Sequence, residues 1–121
     1  SKGFDEIHQS AKSRFKELLN VPKDYSVLFL QGGASLQFYM TAINLLSPTD
    51  IGEYINTGTW STKALKEAKR CSNSVSIWEP EGTFNRVPNA SEYSSSENAV
   101  YLHYTSNNTI YGTQFKETPK T

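Results

Sequence analysis

Leu28-Phe29-Leu30-Gln31-Gly32-Gly33-Ala34-Ser35-Leu36-Gln37-Phe38 holds the residues best suited to chemistry in this chain. An apolar run stops at two glycines and passes straight into a helical pattern, which aims the free N–H groups of a helix N-terminus at one point. Such a point accepts a phosphate. The N–H groups of Ala34 and Ser35, with the Ser35 hydroxyl, would hold one, each charge-assisted bond contributing roughly 1.5–3 kcal/mol. The turn is neither G-x-G-x-x-G nor G-x-x-x-x-G-K-[ST], which counts against a dinucleotide or a nucleoside triphosphate. The same residue types also serve as ordinary punctuation between a strand and a helix.

Trp60 follows Asn56-Thr57-Gly58-Thr59, and Thr109 follows Thr105-Ser106-Asn107-Asn108. An indole at a helix start is commonly a core or lid residue, but beside a phosphate cradle it can stack on a flat heteroaromatic ring. Asn and Thr runs usually mark turns; the alternative for Thr109 is a hydroxyl donated to a phenolate-like oxygen on the same ring. His8, on an apolar stripe, and His103, inside a strand pattern, read as structural. Cys71 reads as packing. No His/Cys/Asp cluster has metal-ligand spacing, and no Ser/His/Asp set suggests acyl transfer.

The elements that must position these residues follow from periodicity. Phe4, Ile7, His8, Ala11, Phe15, Leu18 and Leu19 recur at steps of three and four, predicting an amphipathic helix with a core-facing stripe, stopped by Asn20 and Pro22. Residues 26–31 predict a strand covered on both faces. Ser35 is expected to cap a helix running to about Leu46, whose apolar residues cover more than half its circumference and call for deep packing. Strands are predicted at 51–56, 74–78 and 99–104, a helix at about 61–70, and a long irregular loop at 79–98. This alternation predicts an α/β fold with a mainly parallel sheet and flanking helices. Ligands of open α/β sheets bind beyond the carboxyl ends of the strands. Three of those ends carry the polar sequences that contain Ala34 and Ser35, Trp60, and Thr109.

With 121 residues the chain suffices for one domain with one core. Twelve basic and twelve acidic residues cancel, so nothing predicts nucleic acid or an anionic membrane as a partner. No apolar run approaches the roughly 20 residues of a membrane span, and no secretory signal opens the chain. The single Cys71 excludes an internal disulfide and points to a reducing, cytoplasmic setting.

A phosphate cradle, a stacking aromatic and a hydroxyl for a phenolic oxygen together describe the surroundings of pyridoxal 5'-phosphate. Here the sequence resembles the phosphoserine aminotransferases, class-V enzymes of fold type I that use this cofactor. The matching segments are Phe29-Leu30-Gln31-Gly32-Gly33-Ala34-Ser35-Leu36-Gln37-Phe38, Thr57-Gly58-Thr59-Trp60-Ser61 and His103-Tyr104-Thr105-Ser106-Asn107-Asn108-Thr109-Ile110-Tyr111-Gly112. The resemblance implies that residues 1–121 are part of a cofactor-binding large domain. In it Ala34 and Ser35 hold the cofactor phosphate, Trp60 stacks on the pyridine ring, and Thr109 bonds the ring hydroxyl. Some family members carry arginine where this chain has Ser35, so a side-chain contact of that kind is not implied here.

The resemblance further implies transfer of an amino group between glutamate and 3-phosphohydroxypyruvate, giving 2-oxoglutarate and phosphoserine, by a homodimer in serine biosynthesis. The family's Schiff-base lysine and the aspartate that pairs with the pyridine nitrogen would lie beyond Thr121, and its substrate-binding His-Arg pair before Ser1. Lys63, Lys66 and Lys116 are not in the required context, so no catalytic residue is expected within this chain, which reads as an internal piece of a longer enzyme. Uncovered apolar faces and sheet edges are expected to follow. The competing readings are another fold-type-I enzyme, such as a cysteine desulfurase relative, and a non-catalytic phosphate-binding α/β module. The Thr-Ser-Asn-Asn-Thr-Ile segment and the surroundings of Trp60 argue against the desulfurase. The isolated 121-residue chain is expected not to turn over phosphoserine; amino transfer by it in a glutamate-release assay would overturn the reading of it as a piece.

Overall fold

The computed structural model describes residues 1–121, which divide into two compact units, Ser1–Gln31 and Gly32–Thr121. In the first, helix α1 (Lys2–Leu18) forms where the apolar spacing predicts it. It ends in a Schellman turn. Asn20 takes a left-handed φ of 48°, its N–H donates to the Glu17 carbonyl at 3.3 Å, and the Val21 N–H reaches the Lys16 carbonyl at 2.9 Å. Asparagine enters that region more readily than most side chains, which is why the chain stops at this residue.

Two expectations for this unit are corrected. The stripe of α1 does not face a core: Phe4, Ile7 and Leu18 are 64%, 71% and 80% exposed, and no residue of the helix is buried. Residues 26–31 form no strand, and Leu28, Phe29 and Leu30 stay at least half exposed. A strand requires ladder hydrogen bonds to a neighbour, and an apolar run specifies the pattern without supplying the partner. Within the unit the segment instead touches α1 through Phe29, whose ring lies 5.5 Å from His8 and 5.8 Å from Phe15. His8 is half-buried between Phe4 and Phe29, as a boundary histidine should be.

In the second unit, β1 (Ile51–Ile55), β2 (Val75–Trp78) and β3 (Ala99–His103) form a parallel sheet in the order β2-β1-β3. The fold is the α/β arrangement with flanking helices that the alternation predicts. β1 lies centrally, and Gly52, Glu53, Tyr54 and Ile55 are all buried. Helices α2 (Ala34–Leu45) and α3 (Thr59–Ala68) pack on each other. With Tyr54 they enclose the core of Ala42, Leu46, Ala64, Leu65 and Ala68, bordered by Phe38, Cys71 and Tyr101. Inside it the Tyr54 and Tyr101 hydroxyls satisfy each other at 2.6 Å. Burial, reinforced by that bond, pushes the Tyr54 pKa upward.

The other face of β1 presents Glu53, only 4% exposed. Its carboxylate accepts from the Ser95 hydroxyl at 2.6 Å and the Ser96 N–H at 3.1 Å, which tethers the end of the 79–98 loop. That loop has no helix or strand, as expected. The Arg86 guanidinium grips Glu92 through two bonds of 2.8 Å while lying over the Trp78 ring at 5.1 Å.

The deep packing predicted for α2 is not observed. One narrow face, Phe38, Ala42 and Leu46, turns inward, and Leu36, Tyr39, Ile43 and Leu45 remain 38–55% exposed. Within this unit α3 and one sheet face reach this helix, so one stripe is covered whatever the composition of the rest. Gly52 marks the tightest point of the core, because an added Cβ would lie 2.8 Å from Tyr101 Cζ and 2.9 Å from Ser74 Oγ. Gly52→Ala is therefore expected to destabilise the fold by about 1–3 kcal/mol in denaturant titration. Gly3→Ala, which meets nothing within 4 Å on α1, should leave stability unchanged or raise it by up to about 1 kcal/mol.

Candidate functional site

The carboxyl end of β1 is organised by one hydroxyl. Ser61 Oγ, fully buried, accepts the N–H groups of Thr57 and Gly58, each at 2.9 Å. Its own proton has Asn56 Oδ1 and the Gly58 carbonyl at 2.9 Å, and the Thr62 hydroxyl has the same two acceptors at 2.9 Å. Gly58 is the N-cap of α3, so Ser61 at the third helical position returns a bond to the cap N–H, as the acidic or amide partner of a capping box does. The helix consequently begins at Thr59 rather than near residue 61, and Trp60 stands in its first turn, half-buried. Lys63 Nζ lies over the indole at 4.6 Å.

Beyond β3 the chain forms a short antiparallel hairpin, β4 (Asn107–Asn108) and β5 (Thr113–Gln114). Thr109 occupies its exposed turn. The turn closes on Asn108, whose carbonyl accepts from Tyr111 N–H at 3.2 Å and Gly112 N–H at 2.8 Å, with Gly112 at a left-handed φ of 68°. This hairpin meets the β1–α3 turn. Asn108 Nδ2 donates to Thr57 Oγ1 at 3.0 Å, and Thr59 Oγ1 approaches the Tyr111 hydroxyl at 3.5 Å. The turns that carry Trp60 and Thr109 are thus brought together, as the sequence reading anticipates. Asn56, Thr57, Ser61 and Asn108 were not anticipated. Their signal is a run of small polar residues at a strand end, and only burial distinguishes it from a surface turn.

The turn into α2 differs in detail from expectation. Gly33, extended at φ −83° and ψ −177°, is the N-cap of α2, no side chain caps the helix, and Ser35 is its second residue. The Leu36 and Gln37 N–H groups both fold back on the Gly33 carbonyl, at 3.1 and 3.3 Å. The cap therefore falls where the backbone turns extended, two residues before the serine. Ala34 and Ser35 N–H remain among the unpartnered donors of the first turn, both residues are exposed, and no acidic side chain competes there. Gly32 adopts φ +90°, and a Cβ on it would lie 2.5 Å from Leu36 Cδ2. One turn into α2, Phe38 stands edge-on to His103 at 6.1 Å, so the start of the helix faces the carboxyl end of β3. Ala34 and Ser35 share no hydrogen bond with Trp60 or Thr109.

The structure thus offers free N–H groups at the start of α2, a half-exposed indole in the first turn of α3, and an exposed hydroxyl on a hydrogen-bonded hairpin turn. The class-V aminotransferase family model matches residues 1–120. The chain belongs to that family. This class-V aminotransferase chain is 50% identical over 122 residues to the phosphoserine aminotransferase of Geobacillus kaustophilus, covering 100% of the chain and 34% of the relative. It is 48% identical over 121 residues to that of Alkalihalobacillus alcalophilus, covering 99% of the chain and 34% of the relative. A solved structure of PLP-bound phosphoserine aminotransferase from Trichomonas vaginalis superimposes with a TM-score of 0.89 at 35% identity, over 100% of this chain and 35% of that one. The chain thus spans about a third of the length of the curated relatives it matches.

His103 closes the carboxyl end of β3. Its ring stacks on Tyr54 at 4.8 Å, its Nδ1 is buried without a partner, and desolvation pushes its pKa down to about 4. A base whose folded pKa is lowered leaves stability intact above its ordinary value of 6.5 and loses it as the pH falls towards 4. The free energy of unfolding of this aminotransferase chain is therefore expected to fall by an amount on the order of 2–3 kcal/mol across that window, and the melting temperature with it. His103→Phe, which keeps the stacking, should flatten the profile there. The Glu92 carboxylate, held down to about 2 first by the Arg86 hydrogen bond, loses its contribution as the pH falls from 4.5 towards 2 and so overlaps the window only at its acidic end.

Proposed function

We propose that this chain forms part of the cofactor-binding large domain of a phosphoserine aminotransferase that works with pyridoxal 5'-phosphate. The observation that carries the reading is the junction at the carboxyl edge of the sheet, where the Trp60 turn and the Thr109 turn are hydrogen-bonded to each other. It is supported by identities of 48–50% to two phosphoserine aminotransferases across essentially the whole chain. The Ala34 and Ser35 N–H groups would hold the phosphate, which the positive end of α2 favours. The Trp60 indole would lie against the ring and fix its plane, shielding one face from water. The Thr109 hydroxyl would donate to the ring oxygen.

When bound, the cofactor supplies a carbonyl that carries the amino group and an electron sink for the substrate α-carbon. The chain's own residues bind and orient it. The overall reaction would exchange the amino group of glutamate for the keto group of 3-phosphohydroxypyruvate, yielding 2-oxoglutarate and phosphoserine. A cytoplasmic homodimer is the form proposed for the full-length protein.

In cofactor titrations of the full-length protein followed by visible absorption, Trp60→Ala should weaken binding about 2- to 13-fold, the equivalent of the stacking term. Thr109→Val should weaken it at least about tenfold, as expected for a hydrogen bond to a charged group. Unaltered affinity in both would sink the reading. Failure of the full-length protein to form glutamate from phosphoserine and 2-oxoglutarate would sink the substrate assignment.

A further inference from the structure

Asn108 is none of the expected ligand contacts, yet its side chain is 2% exposed and joins segments 51 residues apart in sequence. We propose that Asn108 is the positioning residue that locks the Trp60 platform and the Thr109 hydroxyl into one unit, so that ring stacking and ring-oxygen hydrogen bonding are set together. The inference rests on the cofactor reading of Trp60 and Thr109. Its geometric basis is independent of that reading.

Asn108 Nδ2 donates to Thr57 Oγ1 at 3.0 Å, and the Thr57 hydroxyl has Asn108 Oδ1 at 3.4 Å. Thr57 is fully buried, and its N–H is held by Ser61, one residue after Trp60 in the same helical turn. On the other side Thr109 is the next residue after Asn108. From indole to hydroxyl the connection passes through buried, hydrogen-bonded groups, where water offers no substitute partner and a lost bond leaves a polar atom stranded. Close packing removes the remaining slack: a Cβ on Gly58 would lie 2.8 Å from Asn108 Oδ1 and 3.0 Å from Tyr111 Cδ2. The second tie between the turns, Thr59 to Tyr111, is exposed and 3.5 Å long. It is too weak to hold the register alone.

The test uses the full-length protein and pyridoxal phosphate, with affinity, the circular dichroism of the visible band and the pH titration of that band as readouts. Asn108→Ala and Thr57→Val should each weaken cofactor binding about tenfold and alter the band's dichroism and titration, whereas Thr57→Ser, which keeps the hydroxyl, should restore all three. Trp60→Phe and Thr109→Val should be non-additive in the wild-type background and additive in Thr57→Val. A fall in melting temperature with affinity and band unchanged would assign Asn108 a merely structural role and overturn the proposal. Should Asn108→Ala fail to fold, the Thr57→Val and Thr57→Ser pair decides alone. Losses in Trp60→Ala and Thr109→Val with none in the Thr57 or Asn108 variants overturn this inference and leave the cofactor reading standing. Unchanged binding in Trp60→Ala and Thr109→Val overturns both.

Discussion

The Ser61 hydroxyl is the constraint on which the functional edge depends. A strand that turns directly into a helix leaves several N–H groups without partners, and at the end of a buried central strand water cannot supply them. One oxygen takes the N–H groups of both Thr57 and Gly58. That closes the turn tightly enough for α3 to start at Thr59 and for Trp60 to stand at the carboxyl edge of β1. A longer side chain at position 61 would not fit the same space, because the site is fully buried beneath Asn56 and Gly58.

The rest of the edge is assembled around that turn. Glycine at 58 lets Asn108 and Tyr111 approach the backbone, so the hairpin beyond β3 can dock on the turn beyond β1. Deeper in, His103 joins the edge to the core through Tyr54 on one side and Phe38 on the other. Among its buried side-chain atoms, His103 Nδ1 and the Oγ1 of Thr113, which pairs with Asn108 in the hairpin, are without a hydrogen-bond partner. Rigid support beneath exposed donors is what a site needs to orient a ligand with little loss of conformational freedom on binding.

Much of the secondary structure was legible because it depends on local rules. Asn20 stops α1 through a turn that its own backbone makes. The strands at 51–55, 75–78 and 99–103 coincide with short apolar runs bounded by polar turns. Where the reading erred, the outcome depended on a partner and not on the local sequence. Residues 26–31 have the composition of a strand and no ladder, and α2 has apolar residues on several faces while neighbours reach only one. Ser35 has the side chain of a cap, but the backbone becomes extended at Gly33, so the cap falls there. The β4–β5 hairpin was invisible because two-residue strands carry no periodicity.

By itself the sequence determined the order of the three helices and the three parallel strands, the glycines at the turns, and the polar residue types at the carboxyl ends of β1 and β3. These follow from hydrophobic period, backbone stereochemistry and the rule that parallel strands present their carboxyl ends together. Only the tertiary structure decided which polar residues are buried. Asn108, Thr57 and Ser61 look like surface-turn residues in the linear chain and are 0–2% exposed in the fold. The reason is physical: burial is a property of what lies opposite a residue, and the contact between positions 57 and 108 exists only once β1 and β3 have paired.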